Sequence, residues 1–354
     1  MIRKTLLAAA LLAASQAALA ADLDISLKVA DDYVAANKDV GLSLTLTNNS
    51  KHSLKVLKWY TAADGLEDDI FTVTRDDEEV EYLGRHYKRP APSAKDYLVL
   101  KSGESLTQTL DLSAYYDMSE AGSYQVSYKV DAMDLLKSPG LAKTLVARAD
   151  SLRSEAVSLW VDGVDFKGLS AKRPVVGDIG ISSVSYQGSC SNSEKSSINS
   201  AVSAAQSIGS GALSYLQGQS SPSSSTRYKT WFGTYNSSRY STVTSNFSKI
   251  VNALNSKPLV FDCSCNQSYF AYVYPNQPYT VYLCNAFWSA PTNGTDSKAG
   301  TIVHELSHFN VVAGTDDIVY GQSGAKSLAL SNPSQAIQNA DSHEYFAENT
   351  PALP

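Results

Sequence analysis

Two histidines one helical turn apart, with an acid beside the first, constrain this chain more than any other feature of its 354 residues. Between Gly300 and Phe309, His304 and His308 bracket Glu305. On a helix of 3.6 residues per turn their side chains leave the same face, so two imidazoles reach one metal ion with a carboxylate next to it. The surroundings favour a helix. Asn293, Thr295, Asp296 and Ser297 supply capping residues upstream, and from Lys298 to Ala313 the apolar Ile302, Val303, Leu306, Phe309 and Val312 recur at helical spacing. Two surface histidines on an amphipathic helix are the bland alternative, and the glutamate between them and the segment that follows argue against it.

A catalytic zinc takes three protein ligands and keeps one position open. A third histidine in the His-x-x-Gly-x-x-His register would need a glycine at position 311 and a histidine at position 314, where the chain has Val311 and Gly314. Glu344 and Glu348 are possible ligands from a later helix. Asp317 is preferred, because Gly314 can end the helix and return the chain toward the metal. Zinc lowers the pKa of a bound water from about 15.7 to near 7, and Glu305 is placed to take that proton. This is the chemistry of metal-assisted peptide hydrolysis.

His304-Glu305-x-x-His308 followed by Gly314-Thr315-x-Asp317-x-x-Tyr320-Gly321 resembles the signature of the aspzincins, the secreted zinc endopeptidases that include deuterolysins and peptidyl-Lys metalloendopeptidases. The resemblance implies that His304, His308 and Asp317 bind one Zn2+, that Glu305 is the general base and that Tyr320 hydrogen-bonds the oxyanion. Asp316 fills a variable position and receives no role. Further on, Asn339-Ala-Asp341-Ser-His343-Glu344-Tyr345-Phe346 is similar to the peptidyl-Lys branch, in which the matching Asp341 and Glu344 form a lysine-binding S1′ pocket. Three apart on a helix, those carboxylates share a face and can receive a cation; an acidic pair on a solvated helix is the plain alternative. The implied specificity is cleavage on the amino side of lysine. The resemblance runs from Val176 to the end.

The chain opens like a secretory signal peptide at residues 1–20: Arg3 and Lys4, an apolar run too short to span a membrane comfortably, then Ala18-Leu19-Ala20. A net charge of -6 argues against a nucleic-acid partner, which would want a basic face. From Asp22 to about Gly163 the pattern is that of short strands: Leu42, Leu44 and Leu46 alternate with Ser and Thr, and Tyr124, Val126, Tyr128 and Val130 do likewise. An antiparallel, immunoglobulin-like sandwich is expected, without catalytic constellation; His52 and His86 read as isolated surface residues. The stretch from Lys167 to Pro174 reads as an exposed linker. The resemblance implies a removable propeptide over residues 21–171, with Ala171, Lys172 and Arg173 as processing region; a linker never cut is the alternative.

All four cysteines follow the linker, which in an exported chain favours two disulfides over a Cys-x-Cys metal site. Cys263 and Cys265 are too close to pair comfortably, leaving Cys190 with one and Cys284 with the other; the resemblance points to Cys190–Cys263 and Cys265–Cys284. Periodicity predicts helices from Ser193 to about Leu216 and from Tyr228 to Leu254, and strands at Val260–Asp262, 269–274 and 279–283. The expected molecule is therefore a zymogen of two domains, a β-sandwich propeptide and a mainly helical α+β zincin-type catalytic domain over residues 172–354. Its expected partners are protein or peptide substrates and its own propeptide, with no membrane partner and a monomeric state after processing. The alternatives are a deuterolysin-like endopeptidase without lysine preference, or a secreted binding or toxin module with a structural zinc.

Overall fold

The structure is a computed structural model that describes residues 22–132, 135–137, 150–166 and 183–354. The expected signal peptide and the processing region at Ala171, Lys172 and Arg173 lie outside the described residues. The chain divides into two compact units, Met1–Gly84 with Pro92–Ser170 and Arg85–Ala91 with Ala171–Pro354.

The first unit is β-rich. Gly41–Asn48 buries Leu42, Leu44 and Leu46 on one face, as a period of two requires, and pairs antiparallel with Leu23–Val29 and with Ser105–Asp111. Its other face carries a ladder of hydroxyl contacts, Ser43 with Thr109 at 3.3 Å, Thr45 with Thr107 at 2.9 Å and Thr47 with Ser105 at 2.9 Å. A second sheet is centred on Gly122–Ala132, which buries Tyr124, Val126, Tyr128 and Val130 and is flanked by Phe71–Arg75 and Val157–Val161. Leu54–Leu57 pairs with Tyr97–Leu100 and Leu136–Lys137 in a third. Each aliphatic side chain taken fully out of water here contributes about 1.5–3 kcal/mol.

The second unit is α+β. Its sheet has the strand order Val184–Gln187, Leu259–Asp262, Thr280–Leu283, Ala271–Val273, His86–Lys88. The first three strands are parallel neighbours and the last two pairings are antiparallel. The edge strand is notable for its origin: His86–Lys88 comes from the half of the sequence expected to form the propeptide, so a short piece of that half belongs to the second unit. Cys190 is bonded to Cys263 and Cys265 to Cys284. The loops they close span 73 and 19 residues, for which the chain-entropy argument gives about 4 and 3 kcal/mol.

Around the sheet lie the helices. Asn192–Gly218 starts at a reciprocal cap between Ser191 and Glu194 and buries Ile198, Ala201, Val202 and Ala205. The single helix expected from Tyr228 to Leu254 is two, Thr226–Phe232 and Ser237–Ser256, because Gly233 at φ 80° ends the first and Asn236 caps the second. Lys298–His308 also stops before the predicted Ala313, as Phe309 turns to ψ 130°. Asn285–Ser289, Gly321–Ser331, Pro333–Ala336 and Ala340–Glu348 are the other α-helices among the described residues. Every residue from Ala299 to His308 is buried, with the helix packed against Asn192–Gly218 and Ala340–Glu348. Its polar side chains therefore stand inside the unit, where each needs a partner. Among the described residues no helix is long and apolar enough to cross a membrane.

Candidate active site

The helix Lys298–His308 is fixed at its start by Ser297, whose hydroxyl accepts from the Gly300 N–H at 2.9 Å. Glu348 in turn accepts from the Ser297 N–H at 2.8 Å and its hydroxyl at 2.7 Å. One turn apart on this helix, the rings of His304 and His308 have centroids 4.8 Å from each other. The chain then reverses at Gly314, whose φ of 56° lies in the left-handed region that glycine tolerates best. Thr315 folds back on the helix. Its N–H donates to the Ser307 carbonyl at 3.1 Å, its hydroxyl lies 2.6 Å from that of Ser307, and its carbonyl stands 2.6 Å from His308 Nδ1. Beyond it, the Asn339 side chain accepts from the N–H groups of Ile318 and Val319 at 3.1 and 3.0 Å.

Held from both sides, Asp317 brings Oδ1 to 3.1 Å from His304 Nε2 and 3.5 Å from His308 Nε2. These three atoms are buried and none makes a hydrogen bond. Left so, each costs about 1–3 kcal/mol. Ligand atoms about 2.1 Å from a tetrahedral ion stand about 3.4 Å apart, close to the two separations from Asp317 Oδ1, so the donor set is compatible with a divalent metal. The second nitrogens support the same orientation: Nδ1 of His308 faces a carbonyl, and Nδ1 of His304 lies 3.0 Å from Asp341 Oδ1 and 3.2 Å from Glu344 Oε2, so both Nε2 atoms are the ones available to a metal. Glu344 and Glu348, the other ligand candidates, are spent elsewhere, one beside His304 Nδ1 and the other on Ser297. His343 is buried against Asn246 and the Asn339 carbonyl.

Glu305 is wholly buried beside this centre. Its Oε1 accepts from the Lys88 N–H at 3.2 Å, and Oε2 makes no hydrogen bond. Burial lifts its carboxyl to about 7 against the pull of His304 and His308, the range in which a carboxylate exchanges protons at neutral pH. The Tyr320 hydroxyl accepts from Arg89 Nη1 at 3.0 Å.

Asp341 and Glu344 do share one face of Ala340–Glu348, and both are inaccessible to solvent. Between them sits an ammonium. Lys88 Nζ lies 3.2 Å from Asp341 Oδ1, 2.8 Å from Glu344 Oε2 and 3.0 Å from Asp296 Oδ1. Burial alone would discharge it, but Asp341 and Glu344 outweigh that and hold Lys88 well above its ordinary value. Burial opposes ionisation of Asp341 too, yet Lys88 keeps its carboxyl below the usual range, while burial pushes Glu344 up. Asp341 also accepts from the Gly321 N–H through Oδ2 at 2.6 Å, which favours its carboxylate form.

Sequence reasoning missed one whole side of this site. His86, read as an isolated surface residue, is partly buried with its ring centroid 4.8 Å from that of His308. The Tyr87 N–H donates to Asp317 Oδ2 at 2.8 Å, and Lys88, Arg89 and Asp296 enter as described. His52, by contrast, is exposed. The available signal was compositional: Arg85-His86-Tyr87-Lys88-Arg89 is a basic run in an otherwise acidic chain.

Comparison with known proteins adds the following. Residues 217–348 match the aspzincin family profile described as lysine-specific metallo-endopeptidase. Over 335 residues the chain is 49% identical to an extracellular protease of Aeromonas hydrophila, covering 94% of each. It is 39% identical over 348 residues to a peptidyl-Lys metalloendopeptidase of Grifola frondosa, covering 95% of each. A solved zinc peptidase from Grifola frondosa is 53% identical; the match takes in all of that chain and 47% of this one, with a TM-score of 0.45.

Proposed function

This chain belongs to the aspzincin family and is a zinc metalloendopeptidase, and from that premise we propose that it is exported as a zymogen and cleaves peptide bonds on the amino side of lysine. One observation carries the reading. A lysine of the chain itself, Lys88, has its ammonium among Asp296, Asp341 and Glu344 and its backbone N–H on Glu305, the two contacts a P1′ lysine needs.

His304, His308 and Asp317 would hold the zinc, which when bound would supply Lewis acidity toward water and the carbonyl before the lysine. Glu305 takes a proton from the attacking water. With Oε1 at 3.2 Å from the nitrogen of the residue in the pocket, it is also placed to return that proton to the departing amine. Tyr320 donates a hydrogen bond from its hydroxyl to the oxygen that gains charge. The substrate backbone lies along Ala271–Val273, as the strand His86–Lys88 does, with the carbonyl of the P1′ residue accepting from the Phe270 N–H as that of Lys88 does at 2.9 Å.

In this reading the first unit is an immunoglobulin-like prodomain, severed near Ala171, Lys172 and Arg173, and the released enzyme is a monomer. Export is supported by the opening residues and by a relative described as extracellular. The test is a digest of an unfolded protein by the processed enzyme, followed by sequencing of the new amino termini. Lysine is expected at the first position of nearly all of them, and Glu305→Gln is expected to lose at least about 100-fold in rate while keeping its zinc. New termini spread over many residue types would reject the lysine preference.

A further inference from the structure

The Tyr87–Lys88 bond stands where a scissile bond belongs. Its nitrogen is 3.2 Å from Glu305 Oε1, the N–H before it is on Asp317 Oδ2 at 2.8 Å, and the lysine side chain fills the acidic pocket. The segment is anchored at both ends as well, by Arg85 Nε on the Tyr274 hydroxyl at 2.8 Å and by Arg89 on Tyr320 at 3.0 Å. A peptide held this way beside a working metal would be cut. The side chain that separates it from an ordinary substrate is His86, immediately before the Tyr87–Lys88 pair. A ring nitrogen of His86, one of His308 and a carboxylate oxygen of Asp317 lie within 4.8 Å of one another. That is close enough for one ion to gather all three with small side-chain adjustments.

We propose that in the uncut chain His86 is a fourth ligand of the metal, so that Arg85–Ala91 is a seated but uncleavable substrate mimic. The proposal rests on the reading of His304, His308 and Asp317 as the metal centre. Structural zinc sites have four protein ligands, and catalytic ones have three and a place for water. An imidazole from residue 86 converts the second kind into the first: water has no corner to enter, and Glu305 has nothing to deprotonate. Departure of the segment removes the latch and the blocking lysine together.

The experiment uses the full chain carrying Glu305→Ala, which holds the precursor uncut, loaded with zinc and studied by X-ray absorption at the zinc edge. Three imidazoles per zinc are expected, and two when His86→Ala is added. Two in both chains would overturn the latch, and a chain that binds no stoichiometric zinc would overturn the metal centre beneath it. With cobalt in place of zinc, acetohydroxamate is expected to change the visible spectrum only in the chain lacking His86; an equal change in both opposes the proposal. A gentler variant, His86→Asn with Glu305 intact, is expected to be cut at Tyr87–Lys88, giving a fragment that begins at Lys88, while the parent stays whole at that bond. An uncut variant, or a parent cut there equally fast, overturns it.

Discussion

Asp341 serves three partners at once: Oδ1 lies 3.0 Å from His304 Nδ1 and 3.2 Å from Lys88 Nζ, and Oδ2 accepts from the Gly321 N–H at 2.6 Å. It therefore touches both the proposed lysine pocket and His304, the proposed metal ligand, as Glu344 Oε2 does at 2.8 Å from Lys88 Nζ and 3.2 Å from His304 Nδ1. Asp341→Asn should lower zinc affinity about 10–100-fold, measured by competition with a chelator, because the neutral amide no longer orients His304. The same change should cost about 2–5 kcal/mol in kcat/KM on lysine substrates, since a buried ammonium loses its ionised partner. Glu344→Gln should fall mainly on substrate selectivity, and equal zinc loss in the two variants would contradict this division. Glu348 presents a different case. Burial, then the charge of Glu344, lifts its carboxyl from 4.5 to about 8, whereas in the unfolded chain it titrates near its ordinary value. The folded chain thus keeps a proton that the unfolded chain releases. Its contribution is fully present below the ordinary carboxylate range and is lost as pH rises toward about 8. Thermal unfolding of Glu348→Gln between pH 5 and 8 should show a shallower decline than the parent, and parallel curves would reject the assignment.

The helix Lys298–His308 is held by burial on all sides and by a cap at its start. Ser297 is 1% exposed and its hydroxyl binds both the Gly300 N–H and Glu348, so Ser297→Ala leaves the buried Gly300 N–H without its acceptor and Glu348 Oε1 with the Ser297 N–H alone. A loss of about 1–2 kcal/mol is expected, several degrees in Tm, together with weaker zinc binding as His304 shifts. An unchanged Tm would mean that packing alone sets the helix. Elements of this kind were legible in the sequence because their causes are local: the capping serine, the four-residue spacing of His304 and His308, the glycine that reverses the chain at 314, and the alternation of Leu42, Leu44 and Leu46. Where the reading went astray, the cause was local but overruled or not local at all. Apolar spacing ran on through Gly233 although its positive φ breaks the helix, and through Phe309 although the chain leaves the helix there to pin Thr315 on Ser307. The strand His86–Lys88 has no periodicity to announce it. Its partner strand, Ala271–Val273, lies far along the chain, and only the assembled sheet edge, acidic pocket and metal ligands make three residues of a basic run into part of the site.

At the scale of the whole chain, the consequence lies in connectivity. Arg85–Ala91 belongs to the second unit yet is covalently continuous with Gly84 and Pro92 of the first. While the chain is whole, its concentration at the site is fixed by the linkage, on the order of millimolar for a flexible tether. A modest intrinsic affinity then suffices to keep the pocket filled. If the backbone is cut near residue 171, as proposed, the same contacts must hold against dilution, and at micromolar protein a segment with a dissociation constant well above that leaves. Blockade and release thus need no change in the contacts themselves. A synthetic peptide of residues 84–92 should therefore inhibit the processed enzyme competitively, with a constant between micromolar and millimolar. The same peptide with Lys88→Ala should be at least about 30-fold weaker, the equivalent of about 2 kcal/mol for an unfilled acidic pocket. Steady-state inhibition of a lysine peptide substrate measures both. If the two peptides inhibit alike, the lysine does not hold the segment; if neither inhibits at several millimolar, the segment blocks the site only through its attachment to the first unit.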